Sequence, residues 1–484
     1  MKKIKIQMIA LLAASLFVFG CDKMMDVPAE SVITASSFWK TEDDAKAGLN
    51  GAYMRLRSAL GGFNYFIYGD FRTGFYGNPP AENGYVNYGK IWDNILDAST
   101  NGTNWSSFYT CINACNLVLD HVGDIKFKNE SNKPNILGQA HFLRAYCYWW
   151  LVRIWGEVPL MTVGVESDDE ELLFPSREPV DKVFDLIEAD LAEAASTIGS
   201  SNGLFKGNLA TVYLLQADVF LWQAKVNGKG KDYVDKASQA ISNFESKTTA
   251  SLSSSYENVF RKDNDPELVF SIPFIQNENE GGANMLVPLI SKVSTPYQNK
   301  QVPVGASTQW TTVTDAHHAF LHSDTTDTRA AVNAMIFEAP TGETYKWVNK
   351  YLGTLTNGTR YYDSDYRLYR YADAVMLKAE IQNELGNQTG AVAAVNTIAK
   401  RAYGKDNYYG GSYSKAEVDE IIINERMKEF CSEGKVWFDL VRMGKAFEKV
   451  PTLAGKQNKK NILLWPVANA SINYNPNIVQ TDGY

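Results

Sequence analysis

Cysteine is scarce. Five occur in 484 residues, and four of them, Cys111, Cys115, Cys147 and Cys431, are too few and too scattered for a disulfide framework. Cys111 and Cys115 lie four apart in a helical pattern, where a bridge would be strained, so all four read as small buried apolar residues. Histidine is equally rare, with five in the chain. No HExxH, P-loop or GxSxG is present, which removes the usual signatures of zinc peptidases, phosphate-loop NTPases and serine hydrolases. A Lys/Arg stripe is missing as well. The formal charge is −8, which argues against nucleic acid as a partner and against electrostatic docking on anionic lipid. Beyond residue 20 no apolar run approaches the length that spans a bilayer.

What is present begins at the N-terminus. Lys2, Lys3 and Lys5 precede an apolar run from Met8 to Gly20, and Cys21 follows at once. Thirteen apolar residues make about 20 Å of helix, too short for a hydrocarbon core of roughly 30 Å. The segment therefore reads as an export signal, and a cysteine at the cut site as the acylated N-terminus of a lipoprotein. Phe19 stands where a small residue is usual. Three lysines leave with the signal, so 44 basic residues then face 55 acidic ones, a net charge of −11.

The rest alternates between helical and irregular stretches. Apolar spacing predicts helices from Ser36 or Ser37 to Leu60, over Trp105 to Val122, Ile136 to Trp155, Pro179 to Ile198, Leu209 to Val226 and Asp232 to Glu245. Helices resume over Tyr366 to Leu385, Thr389 to Tyr403 and Ser414 to Glu433. Residues 61–104 are aromatic, Gly/Asn-rich and without helical period, and read as loops with short strands. Between 250 and 365, prolines and Gly/Asn/Ser/Thr exclude long helices except near Asp315 to Phe320, and Leu268 to Ile272 reads as a strand. The helices fall into pairs at 104–155, 179–226 and 366–403. Ala379, Glu380, the Leu385-Gly386 break and Ala391, Ala394 and Ala402 suit tetratricopeptide-like packing, in which small residues let helix backbones approach. The fold class expected is all-α dominated: a scaffold of such pairs with an irregular, loop-rich lobe containing short strands.

Several blocks in this order resemble one family. Phe38-Trp39-Lys40-Thr41-Glu42-Asp43-Asp44-Ala45, Asn50-Gly51-Ala52-Tyr53 and the run from Trp105 through Tyr109 and Ile112 to Asn116 match its opening. Phe142-Leu143-Arg144-Ala145-Tyr146 with Gly156 to Leu160 matches its most distinctive block. Asp327-x-Arg329, Arg370-Tyr371-Ala372-Asp373, Asn424-Glu425-Arg426, Glu433-Gly434, Trp437 to Arg442, Trp465-Pro466, Asn475-Pro476-Asn477 and Gly483-Tyr484 complete the series. The chain resembles the SusD/RagB outer-membrane nutrient-uptake lipoproteins of Bacteroidetes.

The resemblance implies four tetratricopeptide-like helix pairs and a lipoprotein anchored in the outer membrane through Cys21, facing the cell surface. It implies a non-enzymatic role: capturing oligosaccharides or polysaccharides, or peptides in some members, for a partner SusC-like TonB-dependent transporter. The regions expected are a signal peptide (1–20), a lipidated tether (21–35), an N-terminal region with the aromatic loops (36–249), an irregular lobe (250–365) and a C-terminal helical region with an extended tail (366–484). A lipid-anchored glycoside hydrolase is the competing reading, and it requires two carboxylates flanking the cleft. A third places the helix pairs against protein partners alone.

Family motifs do not transfer a binding site, because ligand residues vary with the glycan; the site has to be read from the loops. Sugars present apolar C–H faces and a rim of hydroxyls, so flat aromatics beside amides, carboxylates and guanidinium groups fit them. The candidates are Tyr65, Asp70, Arg72, Asn83 and Tyr85 in the first irregular stretch, and Tyr297, Trp310 and Trp347 in the second. They are expected on an exposed surface. By contrast, the Phe142–Tyr146 block and Glu425-Arg426 are expected to be structural, their arginines paired inside the helix stack. His317, His318 and His322 have the one metal-like spacing, without the ligand number zinc needs, so no metal is expected. Asp324, Asp327 and neighbouring threonines offer oxygen ligands of the kind calcium takes, without EF-hand spacing. No cofactor is expected.

Overall fold

The computed structural model describes residues 38–79, 88–199, 203–276 and 281–484. The export signal, Cys21, the tether, Asn83 and Tyr85 lie outside these residues. In chain order the main helices are α1 (Glu42–Leu60), α2 (Asn64–Gly69), α3 (Ser106–Val122), α4 (Lys133–Trp155), α5 (Val180–Thr197), α6 (Leu209–Lys225), α7 (Lys231–Lys247), α8 (Tyr371–Glu384), α9 (Gln388–Tyr403), α10 (Lys415–Glu429) and α11 (Val436–Arg442).

Four pairs form the scaffold: α1 with α3, α4 with α5, α6 with α7, and α8 with α9. This pairing differs from those expected in 104–155 and 179–226, although α3 also packs on α4. Gly228 and Gly230 both take positive φ between α6 and α7, a tight reversal that lays one helix on the other. The longer link after α5 instead lets that helix fold back on α4. Capping also moved one boundary. The Thr41 hydroxyl accepts from the Asp44 N–H and the Asp44 carboxylate from the Thr41 N–H, a capping box that starts α1 at Glu42. At the other end of the chain, α10 stops at Glu429, because Ser432 and Gly434 turn the backbone left-handed.

The core of the N-terminal half is aromatic. Nearly all of the last four turns of α4 is buried, including Tyr146, Tyr148, Trp149, Trp150 and Trp155. A helix apolar all round has no solvent face and must sit inside a larger body. In the C-terminal half the core is ionic. Strand Leu268–Ile272 pairs antiparallel with strand Tyr366–Arg370, and this brings Glu267 beside Arg370. Arg370 donates to Glu267 (2.5 Å), Glu429 (2.6 Å) and Glu433 (2.8 Å); Arg401 also pairs with Glu267 and Glu429. Arg329 reaches Asp327, Glu425 and Glu429, and Lys350 reaches Glu433. Burial alone would raise the Glu433 carboxyl, but Arg370, Lys350 and Lys435 overcome it and hold it at about 2. The motif residues Asp327, Arg329, Arg370, Glu425 and Glu433 are thus structural, as is Arg144, which forks onto Asp190.

Candidate ligand-binding cleft

The irregular stretch after α1 is not loop throughout. Its first part folds as α2 and turns inward. Gly69 meets Gly434 backbone to backbone: a Cβ on Gly69 would stand 2.0 Å from the Gly434 carbonyl. Gly282 sits equally close to the Gly62 carbonyl. These two contacts fix α2 against the ionic core on one side and the lobe on the other.

This packing corrects the expected surface. Tyr65 is buried, stacked on Tyr366 with centroids 5.0 Å apart, and its hydroxyl donates to the Arg367 carbonyl. Asp70 is fully buried; it accepts the Gly434 N–H at 2.6 Å, and burial pushes its carboxyl well up. Arg72 donates to Asn94 and to the carbonyls of Ile462, Leu463 and Leu464, lies over the Trp437 ring, and is pulled by burial to about 10. Trp347 is buried in a hairpin strand, its indole N–H on Asn349. Tyr65 borders only an interior crevice of about 30 Å³, and the polar groups of Tyr65, Arg72 and Trp347 bond inside the protein, while Asp70 holds Gly434 with one oxygen and keeps the other, Oδ1, buried without a hydrogen-bond partner among the described residues. Tyr297 is half-buried in a single 3-10 turn against Phe337.

Trp310 is the candidate that does line a cleft. Its ring centroid lies 5.3 Å from Phe63 and 5.4 Å from Tyr88, and Phe63 lies 5.8 Å from Tyr88. Phe63, Tyr88 and Phe274 are buried and form a floor; half-buried Trp310 forms a wall. Arg57, Ser58, Gly61, Gly62, Asn64 and Ile67 complete the lining of an open hollow of about 420 Å³. That volume falls within the range of small-molecule sites. The Trp310 N–H donates to the Met285 carbonyl, which anchors the wall to the lobe. The loop strand Tyr76–Gly77 pairs with Thr312–Val313 just beyond Trp310 and so ties the two irregular stretches together. Phe63 was legible among the loop aromatics. Arg57 and Ser58 were not among the candidates, since they sit in the last turn of α1 rather than in an irregular stretch.

The histidines form no metal centre. His317 is buried flat on Phe75, its Nε2 3.5 Å from Cys431 Sγ, and burial lowers it to about 3. His318 stacks on His322. Asp324 accepts the Thr326 and Tyr408 hydroxyls, and Asp327 forks with Arg329. Among the described residues no group of three His, Cys, Asp or Glu is placed to hold a metal ion. All four described cysteines are free and buried.

Comparison with known proteins accords with this architecture. Residues 226–484 match the model of the SusD family, and residues 78–207 match one described as starch-binding associating with outer membrane. The chain is 28% identical to SusD-like protein P38 of Formosa agariphila over the whole of both chains. It is 26% identical to SusD-like protein P2 of the same organism, over 92% of this chain and 91% of that one. Among solved structures, NanU of B. fragilis superposes with a TM-score of 0.82 at 25% identity, covering 94% of this chain and 99% of that one. A laminarin-binding SusD-like protein superposes at 0.74 and 20% identity, over 92% and 100%, a likeness of fold. A family match over more than half the chain, on the same four-pair scaffold, assigns it: the chain belongs to the SusD family.

Proposed function

We propose that this protein captures oligosaccharides or polysaccharides in the Trp310 cleft, at the outer face of the outer membrane. It is held there through an acylated Cys21 and passes its ligand to a SusC-like TonB-dependent transporter. The observation that carries the reading is the cleft itself. The half-buried Trp310 stands beside a floor of Phe63, Tyr88 and Phe274, with a rim of hydroxyl, amide and guanidinium groups. An aromatic plane covers the apolar face of a sugar ring while the rim bonds its hydroxyls. Among the described lining residues there is no carboxylate. Glycoside hydrolysis needs a pair of them across the bond, so the cleft suits capture without cleavage.

The test is a glycan-array screen of the mature chain from residue 22, with calorimetry and an end-product assay on every hit. Trp310→Ala is expected to weaken binding by about 1–3 kcal/mol without unfolding the protein. Degradation of a bound glycan would replace this reading with the hydrolase one.

A further inference from the structure

The arginines of this protein are almost all engaged. Arg72, Arg144, Arg329, Arg370 and Arg442 each satisfy their guanidinium groups on carboxylates, amides or carbonyls. Arg57 differs. It is half-buried in the last turn of α1 and lines the Trp310 cleft. Its guanidinium makes no hydrogen bond and no ion pair; of the described arginines, only the exposed Arg55 shares that state. Arg57 also borders a second hollow that adjoins the first, lined by Tyr53, Met54, Phe205 and the strand end Phe270–Pro273. No carboxylate is among the described residues lining either hollow. In a chain of net charge −8, the one charged group described along this surface is therefore a cation without a partner.

We infer, on the basis of the carbohydrate reading above, that the cleft selects acidic oligosaccharides and that Arg57 is the residue that reads their carboxylate or sulfate. A planar guanidinium presents paired N–H donors that match a carboxylate or sulfate oxygen pair in one geometry. A neutral sugar offers single hydroxyls to it and leaves the charge unmatched. The overall negative charge of the chain repels an acidic ligand at long range, so selectivity has to arise from direct contact rather than from steering. Arg57 stands where such a contact is available to a chain running from the Trp310 wall towards Met54 and Phe205. Of the described residues it is the link between the two hollows, and it bonds neither side.

The experiment uses the mature chain on an array carrying uronic-acid, sulfated and neutral oligosaccharides. Each hit is then compared by calorimetry with its own methyl-esterified or desulfated form. Acidic members are expected to bind, and neutralising them is expected to weaken binding roughly ten- to hundredfold, the range of a hydrogen bond to a charged group. Uronic-acid hits with no sulfated ones, or the reverse, identify which oxyanion is read. Arg57→Gln is expected to bring the acidic-to-neutral ratio close to one, and Arg57→Lys to retain part of it. Arg55→Gln removes the same charge from the same helix outside the cleft and should leave the ratio intact. Because the Arg57 side chain bonds nothing, Arg57→Gln should also melt with the wild type, which separates lost selectivity from lost fold. Equal affinity for acidic and neutral forms overturns the inference. So does a ratio that survives Arg57→Gln while Trp310→Ala still weakens binding, and that outcome leaves the carbohydrate reading in place. Silence on every glycan overturns both.

Discussion

Two buried arginines solve one problem in opposite ways. Arg153, in the aromatic N-terminal half, is sandwiched between the rings of Trp149 and Phe438, each about 4 Å from its centre, and donates to the Trp149 carbonyl. No carboxylate bonds it directly, and burial lowers its pKa. Arg370, in the ionic C-terminal half, touches three glutamates; burial works against its charge, but those carboxylates overcome it and raise its pKa well above the ordinary value. Ring faces attract a cation through their quadrupole and ask little of geometry. Carboxylates hold it far more strongly, but only while every partner stays in place. The first half is therefore held by area and shape, the second by a closed set of charges.

Mutation separates the two most sharply. Arg370→Met keeps the volume and strands Glu267, Glu429 and Glu433 without their shared cation. It is expected to lower the unfolding free energy by about 3–5 kcal/mol, read by chemical denaturation at neutral pH. A loss below about 1 kcal/mol would mean that Arg401, Lys350 and Lys435 suffice without it.

Acid comes next in size. The Glu433 carboxyl is lowered from 4.5 to about 2 in the folded state, so its contribution is fully present above 4.5 and is lost as pH falls through about 2. A shift of that size corresponds to roughly 3 kcal/mol. Unfolding free energy should accordingly fall between those limits, and Glu433→Gln should flatten that fall. A wild-type curve that stays level down to pH 2 would break the contrast between the halves. The smallest effect is expected at Arg153. Arg153→Met leaves no carboxylate stranded and should cost about 1–2 kcal/mol, a loss that does not vary with pH in the acid range.

The same contrast explains what could be read in the chain. Helices α1 and α3 to α10 were legible because each carries an apolar stripe or a capping signal, as in the Thr41–Asp44 box, but the start of α8 was not: residues 366–370, expected as its first turns, form the strand that pairs with Leu268–Ile272. The motif residues of the ionic core were legible as structural, since an arginine such as Arg370 inside a helix stack needs acids around it. Tyr65, Asp70 and Arg72 were misread as exposed. The short helix that carries Tyr65 is buried on nearly all sides, so it shows no amphipathic period, and its one asparagine and one glycine, with Gly61 and Gly62 just before it, imitate a loop. Gly69 is there for its contact with Gly434, more than 360 residues away in sequence, which no local pattern reveals. Trp310 was legible, an aromatic beside amide and hydroxyl groups. The pairing of Trp310 with Phe63 and Arg57 was not, because it depends on how two distant irregular stretches meet.

Arg72 carries one more consequence. Its guanidinium spans the carbonyls of Ile462, Leu463 and Leu464, some 390 positions further along the chain. Residues 462–464 leave the ribosome long after Arg72 does. Until they arrive, only Nε has its acceptor, Asn94, while both terminal nitrogens lack theirs, and the cost of burying them unpaired opposes early closure of that region. For a polypeptide exported as proposed above, that delay holds the Arg72 region open until residues 462–464 are across the membrane.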